Sequence, residues 1–110
     1  MLSQRFSYES FVQTSDRARL CQELEQVLTA RVRSAPSPEE EGHRIAMELR
    51  ELGHDLWSFD ESTDLQVWCG NWANPTRPYE LIVEVSYRDK EEPRTVSVSF
   101  RARTPHPAHH

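Results

Sequence analysis

The apolar residues of this 110-residue chain change their spacing at Gly53. Before Gly53 they recur every three or four positions, which is the spacing of one face of an α-helix. After Gly53 they alternate with polar residues, which is typical of strands in a sheet with one covered and one open face. This order predicts an α+β domain in which a helical hairpin packs on one face of an antiparallel meander of about four strands.

Two helices are predicted in the first half of the chain. The first runs from Ser15 to about Arg33, and Thr14 or Ser15 can cap its first turn. The second runs from Pro38 to about Leu52, with proline at a position where no backbone amide is needed. Because the link at residues 34–36 is short, we expect the two helices to form an antiparallel hairpin.

The second helix has a start signal, a stop signal and a glycine near its inward face. Ser37 can serve as the N-cap, and Glu40 is placed to complete a capping box. Gly53 is expected in the left-handed conformation that ends many helices. Gly42 lies on or near the apolar stripe, where its missing side chain would let the two helices approach closely.

Four strands are predicted after the helices. They span Asp55 to Phe59, Leu65 to Cys69, Tyr79 to Tyr87 and Thr95 to Arg101. In the first strand, Trp57 and Phe59 lie on one side. In the other three, the alternation predicts that the inward side chains are Leu65, Val67, Cys69, Leu81, Val83, Val85, Tyr87, Val96, Val98 and Phe100.

Residues 1–103 are predicted to form one domain, because a chain of this length can build one core of ordinary size. Its parts are an N-terminal segment at 1–13, the two helices at 14–53 and the strands at 55–101. Phe6 and Tyr8 alternate as in a short strand, although Phe6 and Phe11 could equally cover the core from a loop. Residues 104–110 have neither period nor apolar content and are predicted to be a disordered tail.

Aromatic residues near the second strand suggest a binding surface. If Cys69 faces the helices, the alternation places Trp68 on the open face, beside Ile82 of the next strand. Trp72 and Arg77 belong to a proline-stiffened loop with the composition of a recognition loop. Two structural alternatives remain: the N-terminal segment could cover Trp68, and Trp72 could close the end of the core.

The acidic residues are concentrated in one part of the chain. The net charge is −5, and residues 39–64 hold nine acids against two arginines. This segment includes Asp60, Glu61 and Asp64, next to the predicted second strand. Such a charge argues against nucleic acid as the partner and favours a basic protein, unless the acids only solvate a helix face.

No pattern in the sequence predicts a cofactor or a metal site. Glu40 and His43 have the spacing of half a carboxylate-bridged metal motif, but the second half is missing. Nucleophilic catalysis would need Cys69 beside a base such as His54, and the strand pattern instead makes Cys69 a core residue. Cys21 and Cys69 could face each other across the interface of helix and sheet.

These observations predict a small acidic, non-catalytic protein that binds another protein. We expect an immunity or inhibitor protein that neutralises a toxin, or a chaperone-like partner of an effector. The alternative is a small-molecule-binding or hydrolytic enzyme with a site between helices and sheet, built from His54, Asp55 and Cys69. We also expect a cytoplasmic location, no membrane contact and a possible homodimer through the edge of the fourth strand.

Overall fold

The computed structural model describes residues 1–70, 77–87 and 94–103. The helical elements are a 3₁₀ helix (Gln4–Phe6), α1 (Tyr8–Gln13), α2 (Arg17–Ser34) and α3 (Pro38–Glu51). The strands are β1 (Leu56–Glu61), β2 (Leu65–Gly70), β3 (Tyr79–Ser86) and β4 (Thr95–Ala102). They form one antiparallel sheet in the order β1-β2-β3-β4. The predicted α+β class is therefore confirmed.

The ends of α2 and α3 follow from local sequence. Ser37 caps α3 by accepting a hydrogen bond from the Glu40 amide, as predicted. Gly53 follows α3 with φ of 95°, which confirms the left-handed conformation expected there. The predicted cap of α2 is wrong: Asp16, rather than Thr14 or Ser15, accepts the Arg19 amide. An aspartate carboxylate also suits the positive end of the helix dipole.

An ion-pair network joins α2 to α3. Arg31 of α2 donates to both carboxylate oxygens of Glu48, each at 2.8 Å, and its Nε donates to Glu41 at 2.8 Å. The Glu48 pKa is lowered, first by its hydrogen bonds from Arg31. The hairpin is thus held by a planar, bidentate contact that specifies how the two helices align.

Helix α2 also covers the free edge of β4. Val96 donates its amide hydrogen to Thr29 Oγ1 at 3.3 Å, and Val98 donates to Glu25 Oε1 at 2.9 Å. These amides point away from β3, so they would otherwise be the unpaired donors of an edge strand. The exposed β4 edge that the homodimer prediction requires is therefore not free.

The N-terminal segment is helical, which neither sequence alternative predicted. Ser3 and Ser7 cap the two short turns, so Phe6 and Phe11 both reach the core. The Phe11 ring stacks on Phe100 with centroids 5.0 Å apart. Tyr8 donates its amide to the Leu52 carbonyl at 3.0 Å, which ties this segment to the end of α3.

The helices and the sheet enclose one hydrophobic core. Every helix and every strand contributes to it, the strands through the side chains that face the helices. The buried members are Phe6, Phe11, Leu20, Leu24, Leu28, Val32, Ile45, Ala46, Leu49, Leu56, Trp68, Leu81, Val83, Val85, Val96 and Val98. The predicted inward positions of β3 and β4 are confirmed at these residues, and Phe100 is half-buried against them.

The predicted facing of β2 is wrong. Gln66 and Trp68 point toward the helices, and Trp68 is only 4% exposed. The register explains this: Trp68 lies directly opposite Val83, and opposite residues of an antiparallel pair share one face. The Trp68 ring also contacts the His43 ring of α3, with centroids 4.9 Å apart. Leu65, Val67 and Cys69 are consequently on the other face of the sheet.

Gly42 makes room for β2 rather than for α2. An added Cβ at Gly42 would lie 2.0 Å from the Gln66 Oε1 atom. Gln66 is buried at 2% exposure, and its amide nitrogen donates to the Glu39 carbonyl at 3.3 Å. The glycine therefore permits a buried amide to sit against the backbone of α3.

We predict that Gly42→Ala destabilises the fold by about 2 kcal/mol, although alanine has the better helix propensity by about 1 kcal/mol. The cause is the overlap with Gln66, so the cost should disappear when Gln66→Ala is already present. Urea unfolding of both single variants and the double variant measures this coupling. Strictly additive effects would show that Gly42 is not needed for the Gln66 contact.

Candidate protein-binding face

The sheet has one face without helices in the described part of the chain, which we call the outer face. Its positions follow from the register, because Trp57 lies opposite Cys69, Asp60 opposite Val67, and Val67 opposite Glu84. The apolar members of the outer face are Trp57, Leu65, Val67, Cys69 and Ile82. Leu65, Val67, Cys69 and Ile82 are half-buried. The outer face therefore carries an apolar strip that the described helices do not cover.

Strand β1, which pairs with β2, carries two large exposed aromatic residues. Trp57 is 53% exposed, and its Nε1 donates to the Asp55 carboxylate at 3.1 Å, which fixes the orientation of the indole. Phe59 is 76% exposed and lies at an irregularity in the pairing, between Ser58 and Asp60. Such bulges commonly redirect a side chain at a sheet edge. Their exposure makes them the most accessible aromatic residues among those described.

Trp68 and Trp72 are the aromatic residues that the sequence predicts on the binding surface. Trp68 is buried under α3, which removes it from any binding surface of the folded protein. Ile82 does lie on the outer face, as predicted. Trp72 lies outside the described residues. The exposed pair on β1 was available from the sequence, since Trp57 and Phe59 already shared one side of a predicted strand.

Arg77, which was predicted as a binding residue, contacts the N-terminal segment and the end of α3. Its guanidinium lies 4.4 Å from the centroid of the Tyr8 ring and donates a hydrogen bond to the Gly53 carbonyl. This arrangement joins the start of β3 to the N-terminal segment and to the end of α3. That Arg77 also binds a partner stays a prediction.

The three predicted acidic site residues occupy different environments. Asp60 is exposed, and its side chain has no ion pair or hydrogen bond with another described residue. Glu61 contacts the His43 ring nitrogen at 3.0 Å. Asp64 is half-buried and accepts a hydrogen bond from the Ser62 hydroxyl at 3.3 Å. Of the three, Asp60 is the one directly beside the apolar strip, because it lies opposite Val67 on the neighbouring strand.

The residues of the alternative enzyme site are not brought together. His54 is buried, and its Nε2 lies 2.7 Å from the Phe6 carbonyl oxygen. Because a carbonyl oxygen can only accept a hydrogen bond, Nε2 is the donor. Cys69 is on the outer face, so His54 and Cys69 do not converge. A groove of about 740 Å³ beside α1 is lined by residues such as Tyr8 and Leu52, and by none of the three residues of this enzyme site.

The environments of the two cysteines make both thiols less reactive. Burial raises the pKa of Cys69, and the nearby Glu80 carboxylate adds to the increase. Burial also raises the pKa of Cys21, which lies on α2 beside Phe100. A raised pKa lowers the fraction of the nucleophilic thiolate. Because Cys69 is on the outer face and Cys21 is on α2, the prediction that they face each other is wrong.

Across residues 1–70, 77–87 and 94–103, no three or more histidine, cysteine or acidic side chains are arranged to hold a metal ion. None of the helices in these ranges is long and apolar enough to cross a membrane.

Comparisons of the chain with protein-family models, with curated proteins and with solved structures found no match. A functional assignment therefore depends on the chemistry and geometry of the described surface alone.

We predict that His54 makes stability fall as the solution becomes acidic. Burial lowers the His54 pKa from 6.5 to about 4, and the positive charge of Arg77 contributes to the decrease. Between these values the unfolded chain takes up a proton that the folded chain does not bind. The stabilisation is therefore complete above pH 6.5 and is lost as the pH falls toward 4.

Between pH 7.5 and pH 5.0 the lowered His54 pKa corresponds to a loss of about 2 kcal/mol of unfolding free energy. Urea titrations of the wild type and His54→Gln at the two pH values measure it, since glutamine can still donate to the Phe6 carbonyl. The variant should lose about 2 kcal/mol less than the wild type over this interval. An identical loss in both proteins would contradict the assignment to His54.

Proposed function

We propose that this protein binds another protein through the outer face of its sheet. The observation that supports the proposal is the exposure of Trp57 and Phe59 on β1, beside the strand β2 whose half-buried Leu65 and Val67 form an apolar strip with Ile82. Contiguous apolar surface of this kind on a small domain is characteristic of interaction sites.

The chemistry of the face matches that of protein interfaces. Tryptophan residues are prominent among the side chains that contribute most to binding, and an aromatic side chain buries about 150–250 Å² when it is covered. The Trp57 ring is held in place by its hydrogen bond to Asp55, so less conformational entropy is lost when a partner binds. The polar positions around the strip supply a rim.

Within this class, we propose an immunity or inhibitor protein that neutralises a toxin, or a chaperone-like partner of an effector. The small single α+β fold supports it, since such a fold can present one rigid sheet face to a partner. The separation of His54 from Cys69 gives no support to the enzyme alternative. For a homodimer, the free edge would have to be β1, because α2 covers β4.

We predict that Trp57→Ala combined with Phe59→Ala reduces recovery of the partner at least tenfold, as expected for the loss of about 1.4 kcal/mol or more. The measurement is quantitative mass spectrometry of proteins captured from the native lysate by each bait. The matched control is Val27→Ala with Met47→Ala, which removes two exposed apolar side chains from the helices, where exposure is 39% and 59%.

The control pair should retain the partner at the wild-type level, and all baits should unfold at similar temperatures. If the β1 pair recovers every protein as well as the wild type does, the outer face is not the binding surface.

A further inference from the structure

Two carboxylates flank the apolar strip at its centre. One cross-strand row of the outer face runs Asp60, Val67, Glu84 and Ser97 through the four strands. Asp60 and Glu84 are both exposed, and neither side chain has an ion pair or a hydrogen bond with another described residue. Because neighbouring strands are about 4.8 Å apart, the two carboxylates lie on the order of 10 Å apart, on either side of Val67.

Another acid near this face already has cationic partners. Glu80 contacts Arg101 at 3.4 Å and Arg103 at 3.8 Å, and its side chain is largely buried. The cations of β4 are thus engaged at one end of the sheet. Around Asp60 and Glu84 the described residues leave a negative potential over apolar surface, which a partner can match with cations.

From this charge pattern we propose that the protein which binds the outer face is basic. It would place an apolar side chain on the strip and a lysine or arginine against each of Asp60 and Glu84. This inference rests on the proposed function and specifies the chemistry of the partner. Exposed charge pairs of this kind mainly accelerate association and select the partner, while the aromatic contacts provide most of the affinity.

The same charges disfavour a second copy of this chain as the occupant. A symmetric contact would bring two copies of Asp60 and two copies of Glu84 into one interface, while Arg101 of this face already contacts Glu80. Each chain also carries a net charge of −5. Like charges at an interface cost binding free energy, so a basic partner satisfies the surface better than self-association does.

The test is selection of binders from a random peptide library displayed on phage, with four forms of the full chain as targets. They are the wild type, a charge variant (Asp60→Asn with Glu84→Gln), an aromatic variant (Trp57→Ala with Phe59→Ala) and a control. The control, Glu40→Gln with Glu51→Gln, removes two exposed acids of α3. It matches the charge variant in net charge but leaves the outer face unchanged.

We expect the wild type and the control to enrich peptides in which lysine or arginine flanks apolar residues. A synthetic copy of the best peptide should bind the charge variant about tenfold more weakly at low salt, and this difference should shrink at high salt because ions screen exposed charges. The same peptide should lose measurable binding to the aromatic variant.

Three results would overturn the inference. Enrichment of uncharged apolar peptides, with binding equal in the wild type and the charge variant, would remove the basic partner and leave the proposed function intact. Absence of any enrichment dependent on Trp57 and Phe59 would remove both. A wild-type dimer in sedimentation velocity that tightens in the charge variant would identify a second copy of the chain as the occupant.

Discussion

The contact between Gly42 and Gln66 lets the face of β2 that carries Gln66 and Trp68 lie against the helices. Because side chains alternate along a strand, placing Gln66 under α3 also places Trp68 there and sends Val67 to the opposite face. A shift of one residue would bury Val67 and expose Trp68. The close approach of the amide to α3 is possible only without a side chain at position 42. The glycine in α3 is thus matched to the facing of β2, and the register of the sheet then sets the composition of the outer face.

The position of α2 explains why the two edges of the sheet differ. Accepting groups four residues apart on a helix are separated by about 6 Å, close to the span of about 6.7 Å between amides two residues apart on a strand. Glu25 and Thr29 can therefore satisfy successive amides of β4. No described helix does this for β1, where the bulge near Phe59 interrupts the edge instead. The exposed aromatic residues and the uncovered edge consequently occur on the same strand.

The sequence predicted the architecture well because strong local signals agreed with it. The change of period at Gly53, the cap at Ser37 and the alternation in β3 and β4 each correspond to an observed element. These features depend on neighbours in the chain, so they can be read without knowing the fold. The helical N-terminal segment was missed because its caps, Ser3 and Ser7, define turns too short for a periodic pattern.

The facing of β2 could not be read in the same way. Leu65, Val67 and Cys69 outnumber the single large residue Trp68 on the alternate positions, and a buried Gln66 looks unfavourable until its partner on α3 is known. The sequence of residues 71–78 also lacks the short hairpin turn motif that would have predicted the register between the second and third strands. The candidate site was therefore misplaced within the correct sheet, and the aromatic residues of β1 replace Trp68.

The most direct test of this account is the accessibility of the tryptophan indoles in solution. Indole N–H signals of ¹⁵N-labelled protein can be recorded with a soluble gadolinium chelate, after Trp57→Phe and Trp72→Phe variants have assigned them. The account predicts strong broadening for Trp57 and little for Trp68, whose exposures are 53% and 4%. Comparable broadening of Trp68 would contradict the facing of β2 and the position of the outer face.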